Sequence, residues 1–145
     1  MSIAQDIETK CKTLIEAATA AAGYAPRVIA SVAPHDAETK DRESEEVYIQ
    51  CTDPQPIKEF ASLGFCDLTI TTLTSMDDDK TGEVMEAIHV AAVATITAGN
   101  LDGISTTHTV AGIDDSQEPQ QAPPPDAEAR VRMKANTFRV ATVRA

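Results

Sequence analysis

Aromatic side chains are scarce: there is no Trp, and two Tyr and three Phe make up 3% of the chain. The core must therefore be assembled from Val, Ile, Leu, Met and Ala. Large aromatic anchors carry much of the energy of cores and interfaces, so a domain that gains stability from assembly is expected. No run of about 18 apolar residues is present to span a membrane. The opening Met1-Ser2-Ile3-Ala4-Gln5-Asp6 lacks the basic segment and apolar run of a secretion signal. A soluble, unexported protein is expected. Cysteine is limited to Cys11, Cys51 and Cys66, neither an even set nor a CxxC pair, which argues against a disulfide framework or thiolate zinc site. Buried free thiols are expected.

What is present is acid. Lys and Arg number 12 against 23 Asp and Glu, a net charge of -11, which disfavours nonspecific phosphate binding. The charge is polarised. Arg130, Arg132, Lys134, Arg139 and Arg144 fall in the last seventeen residues, where no acid occurs, leaving -16 on residues 1 to 128. Such a strip either meets an acidic surface of a neighbouring subunit or pairs acids within its own fold. With 145 residues, the chain fits one domain, long enough to bury roughly 70% of its unfolded surface.

Ile3, Ile7, Cys11, Leu14, Ile15 and Ala18 follow the spacing of one helical face. Ser2 with Gln5 makes a capping box, and Gly23 is placed to stop the helix, predicting a span of 3 to 22. Pro26 introduces a β-branched strand around Val28, ended by Pro34, and residues 35 to 46 read as an exposed polar loop. Val47, Ile49 and Cys51 alternate with Tyr48 and Gln50 as a half-buried strand. Residues 64 to 74 form a strong strand with Cys66, Leu68 and Ile70 on one face and threonines on the other. A second helix over 79 to 98 carries Val84, Ile88, Ala91, Ala92 and Thr95 as its apolar stripe, with Gly99-Asn100 as its stop. Ile104 to Val110 reads as a strand, and the Pro-rich residues 111 to 128 as a flexible loop. Val131, Met133 and Ala135, then Phe138, Val140 and Val143, make a closing strand or hairpin, with a bulge near Asn136 where the alternation changes phase. The fold class expected is α+β in a single domain over residues 1–145, a mainly antiparallel sheet with two helices on one face, in the order α-β-β-β-α-β-β.

Chemistry finds little support. Asp77-Asp78-Asp79-Lys80-Thr81-Gly82 begins like a calcium loop, but the twelfth position is Ile88 where a bidentate Glu is needed. Acids at a helix start are the alternative reading. His35, His89 and His108 lack the spacing that presents paired imidazoles. Phosphate-cradling glycine loops and nucleophile signatures are absent. No catalytic, metal-binding or cofactor-binding residue is expected, and no cofactor. The Thr-rich sheet face of Thr69, Thr71 and Leu73 could instead grip a protein partner in a monomeric binding module.

The element order resembles the tail terminator proteins of long-tailed bacteriophages. The opening helix Ile3 to Ala22, the strand trio around Val28, Val47 and Leu68, the helix Gly82 to Ile96 and the closing strand Arg130 to Val143 carry the resemblance. It implies a non-enzymatic virion protein of the tail or neck, made in the host cytoplasm. Such a protein forms a homo-oligomeric ring, a hexamer, that caps the tail tube and joins it to the head connector. Its partners would be itself, the tail tube and the head-tail connector proteins, with DNA passing through unbound and no membrane contact. Arg130, Arg132, Lys134 and Arg139 are the candidate subunit-interface residues. A tail tube subunit or head-completion protein shares the same small acidic α+β character.

Overall fold

The computed structural model describes residues 2–31, 45–57, 60–75, 79, 81–114 and 131–144. The chain opens with helix α1, Ile3–Ala21. The Ser2 hydroxyl accepts from Gln5 N at 3.2 Å, and the Gln5 side chain accepts from Ser2 N at 3.1 Å, so the capping box is formed. Beyond the last turn Gly23 takes φ +92°, a left-handed conformation that glycine adopts without strain and that ends the helix. Ile3, Ile7, Cys11 and Ile15 lie buried along one face.

Six strands form one sheet: β1 (Arg27–Ala30), β2 (Glu46–Cys51), β3 (Gln55–Ile57), β4 (Phe60–Ser75), β5 (His108–Asp114) and β6 (Val131–Arg144). Their order is β1-β2-β4-β6-β5, with the short β3 pairing to β4 as well. β1 runs parallel to β2 and every other pairing is antiparallel. Helix α2 (Glu83–Ala94) stands between β4 and β5 in the chain, so the expected α+β class and element order hold, with β3 as an added hairpin partner. Both helices pack on one face of the sheet. Between helices and sheet lies a core of Ile3, Ile7, Ile15, Val47, Ile49, Leu68, Ile70, Ile88, Phe138 and Val140, among others. No helix among the described residues is long and apolar enough to cross a membrane.

Several expectations are corrected. β2 is not half-buried: Glu46, Val47, Tyr48 and Ile49 are all buried. Tyr48 and Leu73 form a second cluster on the sheet face away from the helices, with Ile29 and Met133 against it. Glu46 belongs to β2 rather than to a loop, and is satisfied by the Tyr48 hydroxyl at 2.7 Å and by Arg27 at 3.5 Å. The remainder of the expected 35–46 loop lies outside the described residues, apart from Glu45.

Helix α2 is shorter than expected at both ends. Of the expected stripe Ile88, Ala92 and Thr95 are buried and Val84 packs against the core, while Met85 and His89 are buried beside them and Ala91 is half-buried. The strand expected at 104–110 begins only at His108. Ser105 Oγ accepts from Thr107 N at 3.2 Å and His108 N at 3.3 Å, and this local side-chain turn competes with strand pairing. Residues 111–114, expected in a loop, complete β5. The rest of that loop, 115–128, lies outside the described residues.

No bulge occurs at Asn136. The β4–β6 register runs unbroken from Leu63↔Val143 to Ser75↔Val131, and the register shifts fall elsewhere, in β5 between Val110 and Gly112 and in β3 between Pro56 and Ile57. The phase change in the sequence has another cause. Residues 136, 138, 140 and 142 face the helices, as do Arg132 and Lys134. Met133 and Ala135 face the other way. The apolar side of the strand switches while its backbone does not.

Candidate functional site

The switch exposes a polar layer beneath the first turns of α2. His89, on the buried side of the helix, is held at both ring nitrogens: Nδ1 lies 2.8 Å from Thr72 Oγ1 on β4 and Nε2 lies 2.6 Å from Asn136 Oδ1 on β6. An amide oxygen only accepts, so Nε2 carries the proton and Nδ1 accepts from the Thr72 hydroxyl. Burial chiefly, with the nearby Lys134 ammonium assisting, holds the imidazole below its ordinary value; the Asn136 hydrogen bond and Glu86 oppose this. All three side chains are buried, and each satisfies a partner that would be costly to leave unmade.

Asp79 closes the same layer at the helix start. Gly82 occupies the N-cap position at φ +80° and offers no side chain, so capping passes to a residue three positions earlier. The Asp79 carboxylate accepts from Val84 N at 3.2 Å, Met85 N at 3.0 Å and Thr74 Oγ1 at 2.9 Å. Burial alone would raise this carboxyl, but the hydrogen bonds from Met85, Thr74, Val84 and Gly82 outweigh it and hold it below the ordinary value. Of the triple acid, Asp79 thus serves the helix dipole; Asp77 and Asp78 lie outside the described residues. Among the described residues no group of three or more His, Cys, Asp or Glu could hold a metal ion.

The basic residues near the C-terminus divide between two faces. Arg132 Nε donates to the Asp79 carbonyl at 3.0 Å, and Lys134 Nζ pairs with Glu86 at 2.6 Å. Both face α2 within the fold. Arg139 points to the opposite side, where it pairs with Asp67 at 3.7 Å and stacks over Phe65. Arg130 lies outside the described residues. Arg132 and Lys134 therefore share one face and Arg139 lies on the other.

The Cys11 and Cys51 thiols are poor nucleophiles. Cys11 and Cys66 are buried, Cys51 is half-buried, and all three are free. Burial first, and the neighbouring Glu8 carboxylate second, push the Cys11 thiol up to about 12. A hydrogen bond with Cys66, together with burial, raises Cys51. Neither supplies thiolate at neutral pH. Glu8 instead ties α1 to the sheet, accepting from the Ser31 hydroxyl and from Cys51 N. Nor is the threonine face open: Thr71 and Leu73 are buried, and Thr69 bonds Thr137 across β4 and β6 at 3.2 Å. His108 bonds Thr107 at 2.9 Å, and His35 lies outside the described residues.

In the sequence His89 reads only as a candidate metal ligand and Asn136 only as the site of a bulge. The available signal was a polar residue at a buried helical spacing, matched by another within the closing strand.

No family model matches the chain, and no curated protein matches it in sequence. Among solved structures, a chain of the virion of native gene transfer agent (GTA) particle matches with a TM-score of 0.54 and 16% identity. The match covers 98% of this chain and 92% of that one. The fold is shared along nearly the whole length of both.

Proposed function

We propose that this chain is a non-enzymatic structural protein of a phage-type virion, and within it a tail terminator: a homo-oligomeric ring, a hexamer, that caps the tail tube and joins it to the head connector. The observation carrying this reading is the end-to-end likeness to a chain of a gene transfer agent virion. The polar layer is compatible with a structural role: His89 and Asp79 are buried, and their bonds fix the start of α2 on β4 and β6. The charge suits a ring. A body of -16 over residues 1 to 128 repels DNA phosphate sliding through a lumen, and ring subunits meet through different patches on their two sides. Among the described candidate interface residues, Arg139 is exposed to a neighbour, with 59% of its side chain open. Arg132 and Lys134 would act there through the position of α2.

Light scattering at several concentrations, followed by negative-stain imaging alone and with tail tubes, tests the reading. Hexameric rings, or density at one tube end, are expected. A long polymer would indicate a tube subunit. A strict monomer that never binds tubes would overturn the ring and favour the binding module, a reading weakened already by the buried threonine face.

A further inference from the structure

We propose that Arg144 and His108 form the receiving half of a contact between copies, taking a carboxylate side chain from a second copy of this chain. The inference rests on the assembly reading above and names a patch outside the residues it invoked. His108 opens β5 and Arg144 closes β6, directly opposite one another in the register. With Pro54 they line two adjoining hollows of about 240 and 360 Å³, one walled also by Gly64 and Thr142, the other by Ser2 and Asp53. Arg144 is exposed and, unlike Arg27, Lys134 and Arg139, forms no ion pair among the described residues. Asp53 is the single carboxylate on the walls, and it makes no ion pair with Arg144.

A guanidinium beside an imidazole donor fits a carboxylate, which Arg can grip through two parallel hydrogen bonds. Charge complementarity names the occupant. The chain carries a net charge of -11, and the exposed Glu83, Asp102 and Asp114 form no ion pair among the described residues. A cationic hollow on one patch and unpaired acids on others meet the requirement of a head-to-tail contact, in which two different patches face each other.

The test compares the concentration dependence of mass, by light scattering at low and high salt, for the full chain and for Arg144→Glu, Arg144→Ala and His108→Gln. Lys12→Glu, on the exposed side of α1, controls for the same change in net charge. Arg144→Glu is expected to raise the concentration needed for assembly by about tenfold or more at low salt, the two milder variants by less, and Lys12→Glu hardly at all. Arg144→Ala carries the same test should the reversal impair folding, which thermal unfolding reports. Unchanged assembly of the Arg144 variants, or equal weakening by Lys12→Glu, overturns the proposal and leaves the ring reading standing. A wild-type chain that is monomeric at every concentration overturns both.

Discussion

The two helices cover the same face of one sheet by different means. Helix α1 lies over β1 and β2 through aliphatic contacts, Ile3, Ile7, Cys11 and Ile15 against a core that includes Val28, Val47 and Ile49. The start of α2 stands over β4 and β6 on side chains that must each find a polar partner: Thr72, His89 and Asn136 in one set, Asp79 and Thr74 in another, Lys134 and Glu86 at the rim. Aliphatic packing is non-directional and tolerates volume-conserving exchange. A buried hydrogen-bonded layer fixes position and register, and fails when one member is removed. The first helix is thus held mainly by volume, with the buried Glu8 bonded to Ser31 and Cys51 N, and the start of the second by geometry.

The sharpest way to break the contrast is to remove volume beneath α1. Ile15 is fully buried, and Ile15→Ala should cost about 3 kcal/mol, within the usual range for deleting a buried aliphatic chain. Ile15→Val should cost about 1 kcal/mol. Urea unfolding measures both. A loss from Ile15→Ala below the loss from a polar substitution under α2 would reverse the assignment of which helix depends on volume.

The difference between the helices also explains what could be read in advance. Periodicity sees apolar residues, so α1, its capping box and its glycine stop were legible from Ser2, Gln5, the Ile spacing and Gly23. Alternation in 64 to 74 placed β4 for the same reason. Burial by polar pairing leaves no such trace: Thr72, His89 and Asn136 are far apart in sequence and look like surface residues until the sheet forms. The same blindness turned the phase change at Asn136 into a bulge, since alternation cannot distinguish a slipped backbone from a strand whose two faces exchange apolar character. Tyr48 was misjudged because a strand buried on both faces does not alternate, and β5 because Ser105 holds the chain in a turn through residues with strand propensity. Of the candidate interface, the positive charge was legible but not its facing, which follows only from the β6 register.

Replacing His89 by Leu tests the polar layer directly. It removes the partner of the Thr72 hydroxyl and of Asn136, and should cost about 2 kcal/mol, the penalty of leaving buried polar groups unsatisfied. Its pH dependence is equally specific. The folded imidazole lies below its ordinary value of 6.5. As pH falls through 6.5 the unfolded chain therefore takes up a proton that the folded chain refuses, and stability declines until the folded value is passed. Above that window the wild type keeps its full stability. The difference between wild type and His89→Leu should accordingly shrink on acidification from pH 7.5 to 5.5. Parallel pH profiles would show that His89 is not shielded within the fold.

The smallest effect belongs to the cap. Asp79→Ala leaves Val84 N, Met85 N and the Thr74 hydroxyl without their acceptor, and should cost about 1 kcal/mol, as loss of an N-cap does. The sign with pH is the same as that of His89, in a more acid range. Because the folded carboxyl sits below its ordinary value of 3.8, its contribution is present above that value and is lost as pH falls from there through the folded value. Asp79→Asn keeps an acceptor but not the charge, so it should retain part of the cap while losing the acid-side dependence. Amide hydrogen exchange at Val84 and Met85 separates local from global loss: faster exchange confined to these amides marks fraying of the first turn of α2. Equal acceleration throughout the helix would mean that Asp79 secures the whole of α2 to the sheet rather than its first turn.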